Sequence, residues 1–355
     1  MRVSGRCILI ESFTGGKALV KEFLGFMTCA LALLPGSALA QADSVTGLGY
    51  VAPMPHRNVP ADGWRDPAPH RALGVNVTPD VRIHVLDFGG TGTPLVFLSG
   101  IGNNAHVFDD FAQRFTKTNR VLALTRRGFG ESSHPDSGYD QATLAADVIT
   151  VLDSLRIQKA VFAGHSIGGY EITHIAAGYP DRVLGLIYLD AGSDPVSADS
   201  IRKAHAAGAP PASLPQQAAT PNPPPLDADS ASPKAAWAYR VRNGLTDNTE
   251  SAVRAAYFYE GFNPYLANKS PFPPKMLAAI RSGGPTPFAK VRAPAIFILA
   301  EVPSDLARAQ RAYVVRALKG SKLVTIPGAR HLIFFSHPDE VEAAMKQFLT
   351  GIQRD

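Results

Sequence analysis

Gly164-His165-Ser166-Ile167-Gly168-Gly169 directly follows the apolar run Ala160 to Ala163 and opens a helical pattern that reaches Tyr179. A tight turn from strand to helix forces an unusual backbone at its central residue. Flanking glycines relieve the clashes, and the serine hydroxyl projects from the turn. The N-terminus of the following helix supplies N–H groups and partial positive charge toward a developing oxyanion. The chemistry this arrangement suits is nucleophilic attack by Ser166.

A serine hydroxyl is a weak nucleophile until a base takes its proton, so a histidine must reach it from elsewhere in the fold. The chain has ten histidines. His331 is the best placed, because Gly328-Ala329-Arg330-His331 comes just after the apolar run Leu323 to Ile326 and before the last helical pattern. A loop there overhangs the same sheet edge as Ser166. His337, beside Pro338, reads as flanking the last helix. His165 reads as structural, since neighbours on a tight turn point away from each other.

The elements that must hold these residues recur with a clear rhythm. Val81, Ile83 and Val85 alternate with Arg82 and His84, which predicts a half-buried strand ending at Gly89-Gly90. Short apolar runs follow at Leu95 to Leu98, Val121 to Leu124, Ala160 to Ala163, Leu186 to Leu189, Ala295 to Leu299 and Leu323 to Ile326. Continuous apolarity is what strands covered on both faces require. Helical stripes lie between them, as in Leu144, Val148, Val151, Leu152 and Leu155, and again in Val341, Ala344, Met345, Phe348 and Leu349. Strand and helix alternate, which indicates βαβ units, a parallel sheet and helices on both faces.

Two stretches break the rhythm. Residues 41–78 are rich in Gly and Pro and read as a loose N-terminal arm. Residues 195–285 read as an insertion, a Pro-rich loop followed by an aromatic helical segment that includes Trp237, Tyr257, Phe258 and Tyr265. The expected core is therefore 79–194 with 286–355.

The first 40 residues read as a signal peptide. Lys17 and Lys21 precede the apolar run Phe23 to Leu34, then Pro35-Gly36 and Ser37-Ala38-Leu39-Ala40, with cleavage expected after Ala40. Export to the periplasm or the medium follows. An apolar run of about 12 residues falls short of the roughly 20 that a spanning helix needs, so no stable membrane insertion is expected after cleavage. Cys7 and Cys29, the only two cysteines, lie inside this leader. The mature chain would then have no disulfide, thiolate nucleophile or Cys-ligated zinc. A net charge of +5 over 355 residues, with no run of five or more like charges, makes nucleic acid an unexpected partner. No H-E-x-x-H, P-loop or opening G-x-G-x-x-G is found, so no metal or nucleotide site is expected and catalysis should need no cofactor.

The order of strand, Gly164-His165-Ser166-Ile167-Gly168-Gly169, helix and later His331 resembles the α/β-hydrolase family, serine-nucleophile branch, over most of residues 80–352. Leu95 to Gly102 resembles its strand and oxyanion loop, with Ser99 where histidine is common. Arg127-Gly128-Phe129-Gly130-Glu131-Ser132 resembles its R-G-x-G-x-S turn. The resemblance implies a mostly parallel sheet of about eight strands with a helical lid insertion, and an oxyanion hole from the backbone N–H groups of Ile101 and Ile167. It also implies an acid between Ser166 and His331 in the chain. The family's G-x-x-D site reads Ala300 to Asp305 here, with Pro303 where aspartate is expected. Asp190, ending the Leu186 strand, is therefore favoured, with Asp305 and Glu301 as alternatives. The activity implied is carboxylesterase-like hydrolysis of a small or medium molecule through an acyl-enzyme. Serine at the turn argues against the haloalkane dehalogenase and epoxide hydrolase branches, which use aspartate. The rival readings are a lidded aminopeptidase-like amide hydrolase and a non-catalytic binding protein that retains the fold.

Overall fold

The computed structural model describes residues 47–54, 69–101, 103–192, 279, 285–302 and 305–352, with the side chains of 305–307 excepted. All of them belong to one compact unit, Val45–Asp355. The expected leader and nearly all of the expected lid lie outside the described residues.

Among the described residues, nine strands form one sheet in the order β1-β2-β3-β5-β4-β6-β7-β8-β9. They are β1 (Val51–Pro53), β2 (Arg71–Thr78), β3 (Val81–Gly89), β4 (Thr93–Leu98), β5 (Asn119–Thr125), β6 (Ala160–His165), β7 (Val183–Leu189), β8 (Ala295–Ala300) and β9 (Lys322–Ile326). From β5 through β9 every pairing is parallel, while β1, β2 and β3 join antiparallel at one side. Among the described residues the helices that cover it are α1 (Asp109–Gln113), α2 (Gln141–Ser154), α3 (Gly168–Gly178), α4 (Asp305–Ala317), α5 (Ile333–Ser336) and α6 (Pro338–Ile352). They cover both faces. Leu95 and Phe97 of β4 join a core with α1, α5 and α6, and Val96 and Leu98 join another with α2, α3 and α4. Side chains that alternate across a buried strand serve two cores at once, which is why these strands read as unbroken apolar runs.

Three local expectations are corrected. The stretch taken as a loose arm contains β1 and β2, because Leu73, Val75 and Val77 alternate and bury against α2 and the sheet. Strand β3 is buried on both faces, not half-buried: His84 is buried, its Nδ1 lies 3.1 Å from Thr125 Oγ1, and its N–H donates to Ser132 Oγ at 2.9 Å. Strand β9 is the sheet's edge, and Leu323 is 50% exposed there.

The turn after β5 is held electrostatically. Arg127 donates twice to Asp147 of α2, at 2.6 and 2.5 Å, with both side chains buried. Burial pushes the Asp147 carboxyl above its usual range even with this guanidinium beside it. A buried pair of this kind recovers only part of its desolvation cost, so losing one partner is worse than losing both. Arg127→Met should therefore lower stability by about 3–5 kcal/mol, read as a drop in urea midpoint. The double variant Arg127→Met/Asp147→Leu should recover most of it. A single variant as stable as the native chain would show that the pair is not holding this turn.

Candidate active site

Strands β6 and β7 lie side by side, and the candidate residues emerge where both end. Ser166 follows the last residue of β6 and Asp190 follows the last residue of β7. Both hold left-handed backbone, at φ +52° and +43°. For a residue with a Cβ this conformation costs roughly 1–2 kcal/mol, so the surroundings must enforce it. The Ser166 N–H donates to the Leu189 carbonyl at 3.3 Å, and the Asp190 N–H to the Ile298 carbonyl of β8 at 2.8 Å.

The turn at Ser166 and the loop after β4 are in direct backbone contact. A Cβ at Gly168 would lie 2.4 Å from the Leu98 carbonyl oxygen, and one at Gly100 only 2.6 Å from His165 Nδ1 and 3.2 Å from Ser166 Cβ. Glycine at these positions lets Ser99 to Ile101 settle onto the serine turn. Ile101 and Ile167 then pack against one apolar cluster of Phe129, Tyr139 and Tyr170. Ile167 is the N-cap residue of α3, and its N–H is among those a helix cannot satisfy itself. The loop is pinned from behind by Arg126, which donates to the Ser99 carbonyl at 2.9 Å and pairs with Glu171 of α3, both side chains buried.

His331 lies between β9 and α5, as expected, and its Nδ1 is 2.7 Å from Asp190 Oδ2. The imidazole is 60% exposed and the carboxylate 5%. Burial alone would push the Asp190 carboxyl up. The hydrogen bond from His331, the Arg311 charge and the Ala300 N–H together outweigh it and hold the carboxyl below its usual range. The Ala300 N–H reaches Oδ1 at 3.0 Å, and so does Arg311 Nη2 at 2.7 Å. An ionised carboxylate only accepts, so Nδ1 of His331 carries the proton and Nε2 is the ring's basic atom.

His165 fixes the main chain of His331. Its Nε2 donates to the His331 carbonyl at 3.0 Å, and the two rings are 4.7 Å apart. Burial first, then the His331 charge, push the His165 imidazole down to about 3, so it stays neutral and Nε2 must bear the hydrogen. This brings the loop of His331 against the residue that precedes Ser166.

Among the described side chains, Asp190 is the candidate acid that meets the imidazole. Glu301 is exposed just past β8 and donates its N–H to the Ile326 carbonyl. Asp305 opens α4, and its side chain lies outside the described residues. His337 closes α5, with its N–H on the Ile333 carbonyl at 2.8 Å. Sequence reasoning missed Arg311, which lies 121 residues from Asp190 on the far helix α4. It also missed the anchoring role of His165.

A family model described as alpha/beta hydrolase family matches residues 95–344. Among curated proteins, a putative non-heme haloperoxidase of Mycobacterium phage D29 is 36% identical over 117 residues, covering 33% of this chain and 42% of that protein. The 2-(acetamidomethylene)succinate hydrolase of Mesorhizobium japonicum is 32% identical over 101 residues, covering 28% and 36%. The match thus spans less than half the length of either relative. The solved structure of E-2-(acetamidomethylene)succinate hydrolase superposes with a TM-score of 0.59 at 20% identity, covering 79% of this chain and 99% of that one, a likeness of fold.

The serine turn should tolerate no added atom. A Cβ at Gly164 would lie 2.4 Å from the Gly168 carbonyl oxygen, whereas one at Gly178, the last residue of the same helix, meets nothing within 4 Å. Gly164→Ala should cost about 1–3 kcal/mol in urea unfolding. Gly178→Ala should be neutral or gain roughly 0.5–1 kcal/mol. Equal effects at the two positions would remove the packing account of the turn.

Proposed function

Because the chain belongs to the alpha/beta hydrolase family, we propose that it is a serine hydrolase working through an acyl-enzyme on an ester-like bond of a small or medium molecule. The observation that carries this reading is the 2.7 Å contact between His331 Nδ1 and a buried carboxylate, on a loop tied to the residue before Ser166. Ser166 Oγ attacks the carbonyl carbon while His331 Nε2 takes its proton, and the same nitrogen then protonates the leaving group. Asp190 holds the ring in the productive tautomer and offsets the charge of the imidazolium. The N–H groups of Ile101 and Ile167 receive the oxyanion, and donors already fixed in place need no reorganisation as charge develops. Water, activated by the same imidazole, releases the acyl group.

Serine in the turn favours acyl transfer over the branches that use an aspartate nucleophile. Ile101 and Ile167, the proposed oxyanion donors, pack in one apolar cluster with Phe129. The aromatic segment within 195–285, read from sequence as a lid, lies almost wholly outside the described residues. The name of one relative contains an acetamidomethylene group, which makes an amide the second bond type to test. The Ala38-Leu39-Ala40 leader supports export to the periplasm or medium. Among the described residues no helix is long and apolar enough to cross a membrane.

A fluorophosphonate probe should label the native chain, and Ser166→Ala and His331→Ala should abolish labelling. Absence of labelling in the native chain would favour the non-catalytic binding reading. On p-nitrophenyl esters, Asp190→Asn should lower kcat by about 10⁴-fold, while Glu301→Gln leaves it near native. Turnover of aminoacyl p-nitroanilides in preference to esters would move the assignment to amide hydrolysis.

A further inference from the structure

Away from the serine turn, three side chains of metal-binding type converge inside the protein. His70 lies just ahead of β2, His106 sits in a short 3-10 turn (Ala105–Phe108), and Asp109 opens α1. His106 Nδ1 is 3.0 Å from Asp109 Oδ2, and His70 Nε2 is 3.9 Å from Asp109 Oδ1. One donor atom from each residue falls within 4.8 Å of the other two. Their side chains are 3%, 1% and 4% exposed for His70, His106 and Asp109. We propose that His70, His106 and Asp109 form a binding site for one divalent transition-metal ion of the zinc class.

The donor set decides the class of ion. Two imidazoles and one carboxylate are ligands that zinc accepts, whereas calcium and magnesium take oxygen-rich shells of six or more. Tetrahedral zinc, bonded at about 2.0–2.1 Å, sets its donor atoms roughly 3.3 Å apart. His106 meets Oδ2 of Asp109 at 3.0 Å and His70 meets Oδ1 at 3.9 Å, and one donor atom from each residue lies within 4.8 Å of the others. The three side chains must draw together to hold an ion at that spacing. The set needs no thiolate, so the absence of cysteine outside residues 1–40 does not bear on it.

The role this site fits is structural. Asn104 Oδ1 accepts the His106 N–H at 3.0 Å and caps the 3-10 turn, while the Ala105 N–H donates to Thr125 Oγ1 at 2.9 Å. The His84 ring of β3 lies 5.5 Å from that of His106. An ion here would clamp the segment before β2 to the turn that ends the loop carrying Ile101. No sequence motif announced it, because the 36 residues from His70 to His106 match no ligand spacing read from a single element.

The test reads binding, so it stands or falls separately from the proposed chemistry. The purified full chain, dialysed against chelator, is titrated with zinc in competition with a chromophoric chelator. One equivalent should bind and raise the thermal midpoint. Ser166→Ala should bind as the native chain does. His70→Gln and Asp109→Asn should weaken binding by at least about 100-fold, at or above the upper end of what losing a group that only hydrogen-bonds a ligand costs. Should Asp109→Asn fail to fold, His70→Gln and the visible spectrum of the cobalt-loaded native chain carry the test. That spectrum should show the intense bands of a four-coordinate ion, held by the three side chains and one water, without a thiolate band. No binding by the native chain, equal binding by His70→Gln, or a thiolate band from Cys7 or Cys29 would each overturn the assignment.

Discussion

Two residues with side chains, Ser166 and Asp190, hold left-handed backbone at the ends of neighbouring parallel strands, and the geometry of the site follows from that constraint. Neither conformation is favourable on its own. Each is imposed by hydrogen bonds that run across the sheet: Ser166 to the end of β7, and Asp190 to β8 through both its N–H and its carboxylate. The glycines on either side of the serine let the loop after β4 press onto the turn from above. Strain at a functional turn persists only when the surroundings over-determine it. Here the parallel sheet, buried on both faces, provides that over-determination.

Charge completes what packing begins. Arg126 with Glu171 and Arg127 with Asp147 are buried ion pairs behind the loop and the turn after β5, and Arg311 with Asp190 sits at the site itself. Buried pairs are weak contributors to net stability, but breaking one leaves an uncompensated charge. They therefore penalise displacement of the loop or of α3 more than they add to folding. Arg311 has a second consequence. It donates to the other oxygen of the same carboxylate, so the negative charge that faces the imidazole is already partly offset.

The legible part of the molecule is the part written in local pattern. Each apolar run from β4 to β8 is a strand, and the stripes of α2 and α6 bury the residues that periodicity selected, save Leu155, which lies just past α2 and is only partly buried. Ser166 could be read because a strand, a glycine-flanked serine and a helix adjoin in sequence. What stayed hidden depends on contacts between distant segments. β2 was obscured because Gly and Pro around it masked a three-residue alternation, and the burial of His84 depends on Ser132 and Thr125 supplying partners. Neither Arg311 nor the meeting of His70 with Asp109 has any signature within a window of residues, since each partner lies on a different element.

The position of the proposed acid shows how topology narrows a choice that sequence left open. With proline at residue 303, the end of β8 does not offer the expected carboxylate. Parallel neighbours end at the same edge of the sheet, so a carboxylate at the end of β7 can serve the same histidine. The cost is that Asp190 must turn back toward His331, which requires its positive φ. The vacated strand then assists: the N–H of Ala300, at the end of β8, donates to Asp190 Oδ1 and leaves Oδ2 for the imidazole. Moving the acid by one strand thus preserves the hydrogen bond to His331, because the neighbouring strand supplies the donor that orients the carboxylate.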